Sequence, residues 1–261
     1  MKSQPEIDFK LLEYPLVPAD SAVGSSEWIN KLREARLKLE SDKSGVVRAE
    51  IETIQISESK SKIKGAFQAL PNSDNPHWQA KISRKESWEL LKTGPIKASP
   101  NVKNSVFELR KNDEKIFGFR AAREEAKPDG IQGVRIFDDG WALEYAEFST
   151  GIVNNEPGHT LNYRIVIDGK QLKDEKHYRS CYGYVRYNNK PFYFFHRGGK
   201  IGWNYAGKPH PQIWNAVAHN IDETMPLNNI NYPPDGPEFF AIRDGMWYFT
   251  KLFVVAKTND N

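Results

Sequence analysis

A chain of 261 residues is long enough to bury a sizeable core, either as one large β domain or as a small domain joined to a medium one, so its stability needs no staples. The single cysteine, Cys181, excludes an intramolecular disulfide. With a polar N-terminus over residues 1–10 and no apolar run near the roughly 20 residues that span a bilayer, the chain reads as soluble and cytoplasmic, with no membrane role. Formal net charge is +3, with 23 Lys and Arg against 19 Asp and Glu in residues 1–127 and 14 against 15 thereafter. Such mixed charge neither shows nor excludes the concentrated basic face of a nucleic-acid binder.

Residues 1–24 carry Pro5, Pro15 and Pro18 without sustained periodicity, which predicts an extended arm laid on the surface or partly disordered. A helix follows. Ser25 and Ser26 supply an N-cap, Trp28, Leu32, Ala35 and Leu39 fall on one face, and Gly45 is placed to end it. Val47, Ala49 and Ile51 then alternate with charged residues, and Ile54 and Ile56 continue one residue out of phase, as in a bulged strand to which residues 61–69 pair back. Residues 78–82 read as a strand. Residues 85–92 read as a short helix with Trp88 and Leu91 on one side, closed by Gly94-Pro95. A proline-punctuated connection over 95–104 completes an α+β portion spanning 25–104.

From residue 105 the texture becomes strand after strand, and residues 105–257 read as one antiparallel β domain. Three turns share a design, Asp138-Asp139-Gly140, Gly198-Gly199 and Asp244-Gly245, each with alternating, aromatic-rich flanks of the kind joined through φ > 0 positions. Asn112-Asp113, Asp168-Gly169 and Asn188-Asn189 mark further reversals. Only a turn near 214–218 has a helical period. Residues 220–237, with Pro226, Pro233, Pro234 and Pro237, read as an excursion over one face or mouth of the sheet. The expected fold is mainly β, an antiparallel meander of hairpins, blade-like or barrel-like, with an N-terminal α+β portion.

A weak self-similarity supports the blade-like form. Residues 165–170 followed by Tyr178 correspond to residues 203–208 followed by Trp214, and their Gly-Lys pairs lie 38 residues apart. Within the second copy, Gly199-Lys200-Ile201-Gly202-Trp203, then Gly207-Lys208, then Trp214-Asn215-Ala216-Val217 resembles a single WG repeat. The resemblance covers about 19 residues of the 261. It departs from the pattern in a Gly-Lys turn one residue early and in Asn215 where Asp is usual. It implies a β-rich binding or interaction role and carries no catalytic residue over.

For chemistry, five of the six histidines fall between 159 and 219: His159, His177, His196, His210 and His219. None of their spacings is a recognised metal pair, so no metal or cofactor is expected. A hydrolase or nuclease built on His196, His210 and His219, or on Cys181 activated by His177 or His219, is the enzymatic alternative. Ordinary hydrogen-bonded histidines and a buried thiol are the simpler explanation. Glu144 and Glu147, with Asp129, Asp138 and Asp139, suggest paired carboxylates, but 144 and 147 have opposite parity on a strand, and Asp138-Asp139 is already explained as turn chemistry. The favoured reading is a binding or interaction protein with an aromatic and basic face. Its candidate residues are Arg197, Lys200, Trp203, Tyr205, Lys208, Trp214 and Tyr232, and its candidate partners are protein, glycan or single-stranded nucleic acid. At least half of these rings are expected to be buried in the core.

Overall fold

The computed structural model of the chain describes residues 6–52, 67–69, 77–83, 86–95, 104–122, 130–153, 156–219 and 230–257. The N-terminal elements are β1 (Ile7–Pro18), α1 (Ser26–Ser41) and β2 (Ile51–Glu52). The middle of the chain forms β3 (Phe67–Ala69), β4 (His77–Ser83), β5 (Glu86–Pro95), β6 (Asn104–Lys111), β7 (Glu114–Ala122), β8 (Ile131–Phe137), β9 (Gly140–Val153), β10 (Glu156–Ile167), β11 (Lys170–Gln171) and the short α2 (Leu172–Lys176). The remainder is β12 (Ser180–Tyr187), β13 (Lys190–Arg197), β14 (Lys200–Tyr205), β15 (Lys208–Pro209), β16 (Ala216–Val217), β17 (Glu238–Arg243) and β18 (Met246–Ala256). The protein is thus mainly β, and its strands form antiparallel, hairpin-built sheets. Among the described residues they make four open sheets, so the barrel-like alternative is replaced by layers.

Contacts divide the chain into two compact units, one made of Met1–Thr53 with Gly183–Asn261 and the other of Ile54–Tyr182. The sequence boundary at 24/25 falls between β1 and α1, which share the first unit, and residue 105 lies inside β6 of the second.

In the first unit, two sheets and a helix stack in layers. The sheet β1-β18-β17-β16 is knit by β1 and β18 in register from Ile7↔Ala256 to Pro18↔Met246. Far from being a surface arm, this segment buries Ile7, Phe9, Tyr14, Leu16 and Val17. Its prolines are tolerated because, among the described residues, β1 is an edge strand paired only with β18. Alternation gives the sheet two distinct faces. On one, Phe9 packs against Tyr187, Phe192 and Tyr205 at centroid distances of 5.4, 5.1 and 5.0 Å, and Phe239 packs against Phe194 and Trp214 at 5.0 and 5.1 Å, which welds it to the sheet β15-β14-β13-β12-β2. The other face carries the row Tyr14↔Phe249↔Phe240, and onto it α1 packs Trp28, Ala35 and Leu39. The Ser25 hydroxyl caps the helix by accepting from the Trp28 N–H at 3.3 Å. The helix stops at Ser41, before Gly45, and the Tyr14 hydroxyl donates to Asp42 at 2.8 Å just beyond its end.

The second unit is another pair of packed sheets, β3-β4-β5-β6-β7 against β11-β10-β9-β8. Its core holds Trp88, Leu90, Phe107, Leu109, Phe119, Leu143, Tyr145 and Val166, with Phe119 and Tyr145 at 4.7 Å. The segment 85–92 is strand β5, not a helix. Trp88 and Leu90 are buried while Glu89 between them is not, and this period of two pairs with both β4 and β6. Residues 67–69 pair with β4 and not back onto the 47–52 segment; residues 53–66 lie outside the described residues.

Reversals occur at Asn188-Asn189, Gly198-Gly199 and Asp244-Gly245, all with positive φ. The turn at Asp138-Asp139 is the exception, with no positive φ at either residue or at Gly140. Gly140 serves a different purpose: the Asp168 carboxylate accepts from the Trp141 N–H at 2.7 Å, and a Cβ on Gly140 would sit 2.5 Å from it. Residues 214–218 are extended, with Trp214 bridged to Ile201 and β16 paired to β17, so the helical turn predicted there is absent.

Candidate binding groove

Helix α1 carries two apolar stripes. Trp28, Ala35 and Leu39 face the sheet, while Ile29 lies about 100° and Leu37 about 180° round the helix, in the arc that also carries Arg33, Arg36 and Glu40. A single helix of 16 residues does not cover a four-stranded face, and the uncovered remainder is a groove of about 520 Å³ within the first unit. Ile29, Leu32, Leu37, Leu39 and Phe249 supply its apolar lining, and Arg33, Arg36, Glu40 and Glu238 its polar lining. Leu37 is 69% and Ile29 47% exposed; with Leu161 they are the large apolar side chains most open to solvent among the described residues.

The charges in this groove are not balanced in the same way. Glu40 accepts from Lys43 at 2.7 Å, and Glu34, on the neighbouring helix face, from Lys31 at 3.1 Å. Glu238 accepts from Asn231 at 2.8 Å and lies 3.8 Å from the Lys251 ammonium. Lys251 is itself buried, 2.9 Å from Asp235 and over the Phe253 ring. Glu40 therefore has a cation of its own, and Glu238 shares one with Asp235. Arg33 and Arg36 have no carboxylate partner among the described residues, and the Arg36 guanidinium lies 5.9 Å over the Phe249 ring at the groove floor.

The residues singled out in the sequence lie elsewhere in the fold. Trp203, Tyr205 and Trp214 are buried at 4, 6 and 0% exposure, so these rings belong to the core and not to a presented face. Trp214 Nε1 donates to Glu13 at 2.8 Å, and Arg243 donates to the other oxygen of the same carboxylate. The Tyr205 hydroxyl donates to the Tyr187 carbonyl at 3.3 Å, and burial, with Asp8 and Glu6 nearby, pushes its phenol up to about 12. Tyr232 is half-buried, its hydroxyl donating to the Gly183 carbonyl at 3.0 Å. The cations of the segment do reach the surface. Arg197 is exposed and meets the side chain of Gln212 once that amide is oriented by its hydrogen bonds, Lys200 donates to Asn215 at 3.1 Å, and Lys208 is exposed on β15.

His196, His210 and His219 belong to the first unit and Cys181 to the second. His210 stacks on Trp203 at 4.8 Å with its Nε2 3.9 Å from Asp8; burial holds its pKa below the ordinary value and Asp8 opposes that. His196 sits half-buried on β13 opposite Ile201, and His219 follows β16. Cys181 belongs to the second unit, fully buried, and burial pushes its thiol up to about 12, the opposite of what a nucleophile needs. Among the described residues no group of three or more His, Cys, Asp or Glu could hold a metal ion. Glu144 and Glu147 are likewise separated, 3.4 Å from Arg135 and 2.7 Å from Arg164 respectively, on opposite faces of β9.

The groove residues Ile29, Arg33, Arg36 and Leu37 were not reached from sequence. The available signal was the surplus of apolar positions on the predicted helix, since Ile29 and Leu37 have no place in the Trp28, Leu32, Ala35, Leu39 stripe. No family, characterised protein or solved structure matches the chain. No helix among the described residues is long and apolar enough to cross a membrane.

Proposed function

We propose that the chain is a binding protein that holds a partner segment in the groove beside α1. One observation carries the reading: a helix already anchored by Trp28, Ala35 and Leu39 leaves Leu37 and Ile29 in solvent, at the lip of a 520 Å³ apolar groove. Covering each of those side chains gains about 1–2 kcal/mol, which a partner supplies and the isolated chain does not. Apolar grooves are one of the recurring seats of a peptide's apolar side chains. The resemblance of residues 199–217 to a WG repeat, which implies an interaction role, points the same way. The surface differs from that expected of the 197–214 segment, because there the rings are turned inward and only the cations remain outside.

Selection of a random peptide display library on the full chain tests the proposal. Selected peptides are expected to share apolar anchors and to lose binding to the Ile29→Gln/Leu37→Gln variant. A library that yields no binders, or binders indifferent to that double substitution, overturns it.

A further inference from the structure

Resting on the reading of this groove as a binding site, we infer that its occupant is an acidic peptide segment with apolar anchors. The argument is charge complementarity. Glu40 is matched to Lys43 and Glu238 shares Lys251 with Asp235, whereas Arg33 and Arg36, one helical turn apart on the groove side of α1, have no anionic partner among the described residues. The groove therefore presents two uncompensated guanidinium groups beside a strip of Ile29, Leu37 and Phe249.

Guanidinium groups make paired, directional hydrogen bonds to carboxylates, so a segment that alternates apolar side chains with Asp or Glu satisfies strip and charges together. A basic segment meets repulsion at the same rim. Arg36 is held over Phe249 rather than swinging free, which reduces the rotamer freedom lost on binding. The 12-residue stretch from Ile29 to Glu40 is about 17 Å of helix, room for three or four successive anchors.

Three synthetic peptides of 16 residues test this by fluorescence anisotropy on the full chain. All share one spacing; the first has leucine anchors with glutamates between them, the second leucines with lysines, and the third glutamates with serines replacing the leucines. The first is expected to bind about tenfold more tightly than the second, as two rim ion pairs allow, and the third not at all. Arg33→Glu/Arg36→Glu is expected to reverse the order of the first two, while Arg33→Gln/Arg36→Gln levels them; both pairs lie on an exposed helix face, and circular dichroism verifies the fold. Equal binding of the two leucine peptides, unaltered by either arginine pair but lost in Ile29→Gln/Leu37→Gln, leaves the groove reading in place and overturns the acidic class. Failure of both leucine peptides to bind overturns the groove reading as well. Sedimentation velocity showing a dimer that Leu37→Gln dissolves makes a second copy of the chain the occupant and overturns the proposal.

Discussion

The first unit offers two cationic surfaces, and they are built in opposite ways. Along β13, β14 and β15 the cations Arg197, Lys200 and Lys208 sit outside while Trp203, Tyr205 and Trp214 turn inward and join the sheets. On α1 the arrangement is reversed: Trp28 and Leu39 complete the core, and Leu37 and Ile29 stand outside beside Arg33 and Arg36. A basic residue near an aromatic in sequence is thus no measure of a binding face. What distinguishes the two surfaces is whether the apolar group has already found its partner within the chain.

Substitutions on the two sides should separate folding from binding. Trp214→Ala removes a fully buried indole and its bond to Glu13, and is expected to cost about 3–5 kcal/mol, measured as a fall in the urea midpoint. If that loss is below about 1 kcal/mol, the hairpin-side rings are not the core element described. Alkaline pH probes buried groups in both units. Burial holds the Cys181 thiol near 12 against an ordinary 9.0, so its stabilising contribution is complete below pH 9 and is lost as pH rises from about 9 towards 12. Urea titrations at pH 8 and 10.5 should differ by about 2 kcal/mol from this group, in the direction of weaker folding at the higher pH, with Tyr205 adding to the loss. The folded thiol should also stay unreactive to iodoacetamide at pH 8 until denaturant is added. Gly183 has φ +71° and a Cβ there would lie 2.1 Å from the Tyr232 hydroxyl oxygen. Gly183→Ala is therefore expected to cost at least about 1 kcal/mol, with partial recovery in Gly183→Ala/Tyr232→Phe because the backbone strain remains. Leu37→Gln is the smallest in stability, within about 0.5 kcal/mol, yet should abolish peptide capture.

Much of the hairpin order was legible because its turns are local. Asn188-Asn189, Gly198-Gly199 and Asp244-Gly245 announce their φ > 0 conformations in residue type alone. Residues 85–92 were not legible: in eight residues, Trp88 and Leu91 fit a helical period while Trp88 and Leu90 fit a strand, and only pairing with β4 and β6 decides between them. The prolines of β1 suggested an arm because edge-strand tolerance depends on a neighbour more than 200 residues away. The groove was hidden for a related reason. Sequence shows that α1 has an apolar stripe, but which apolar side chains remain uncovered is set by the width of the sheet beneath it. Likewise the rings at 203, 205 and 214 could be identified by composition, and their direction only by the second sheet.

Methyl-labelled NMR of the full chain tests the central claim most directly. On titration with the acidic leucine peptide, the methyl resonances of Ile29 and Leu37 should shift first and saturably, with those of Val185 and Ile165 unmoved. Shifts absent from Ile29 and Leu37, or concentrated instead around β13 and β14, would contradict it.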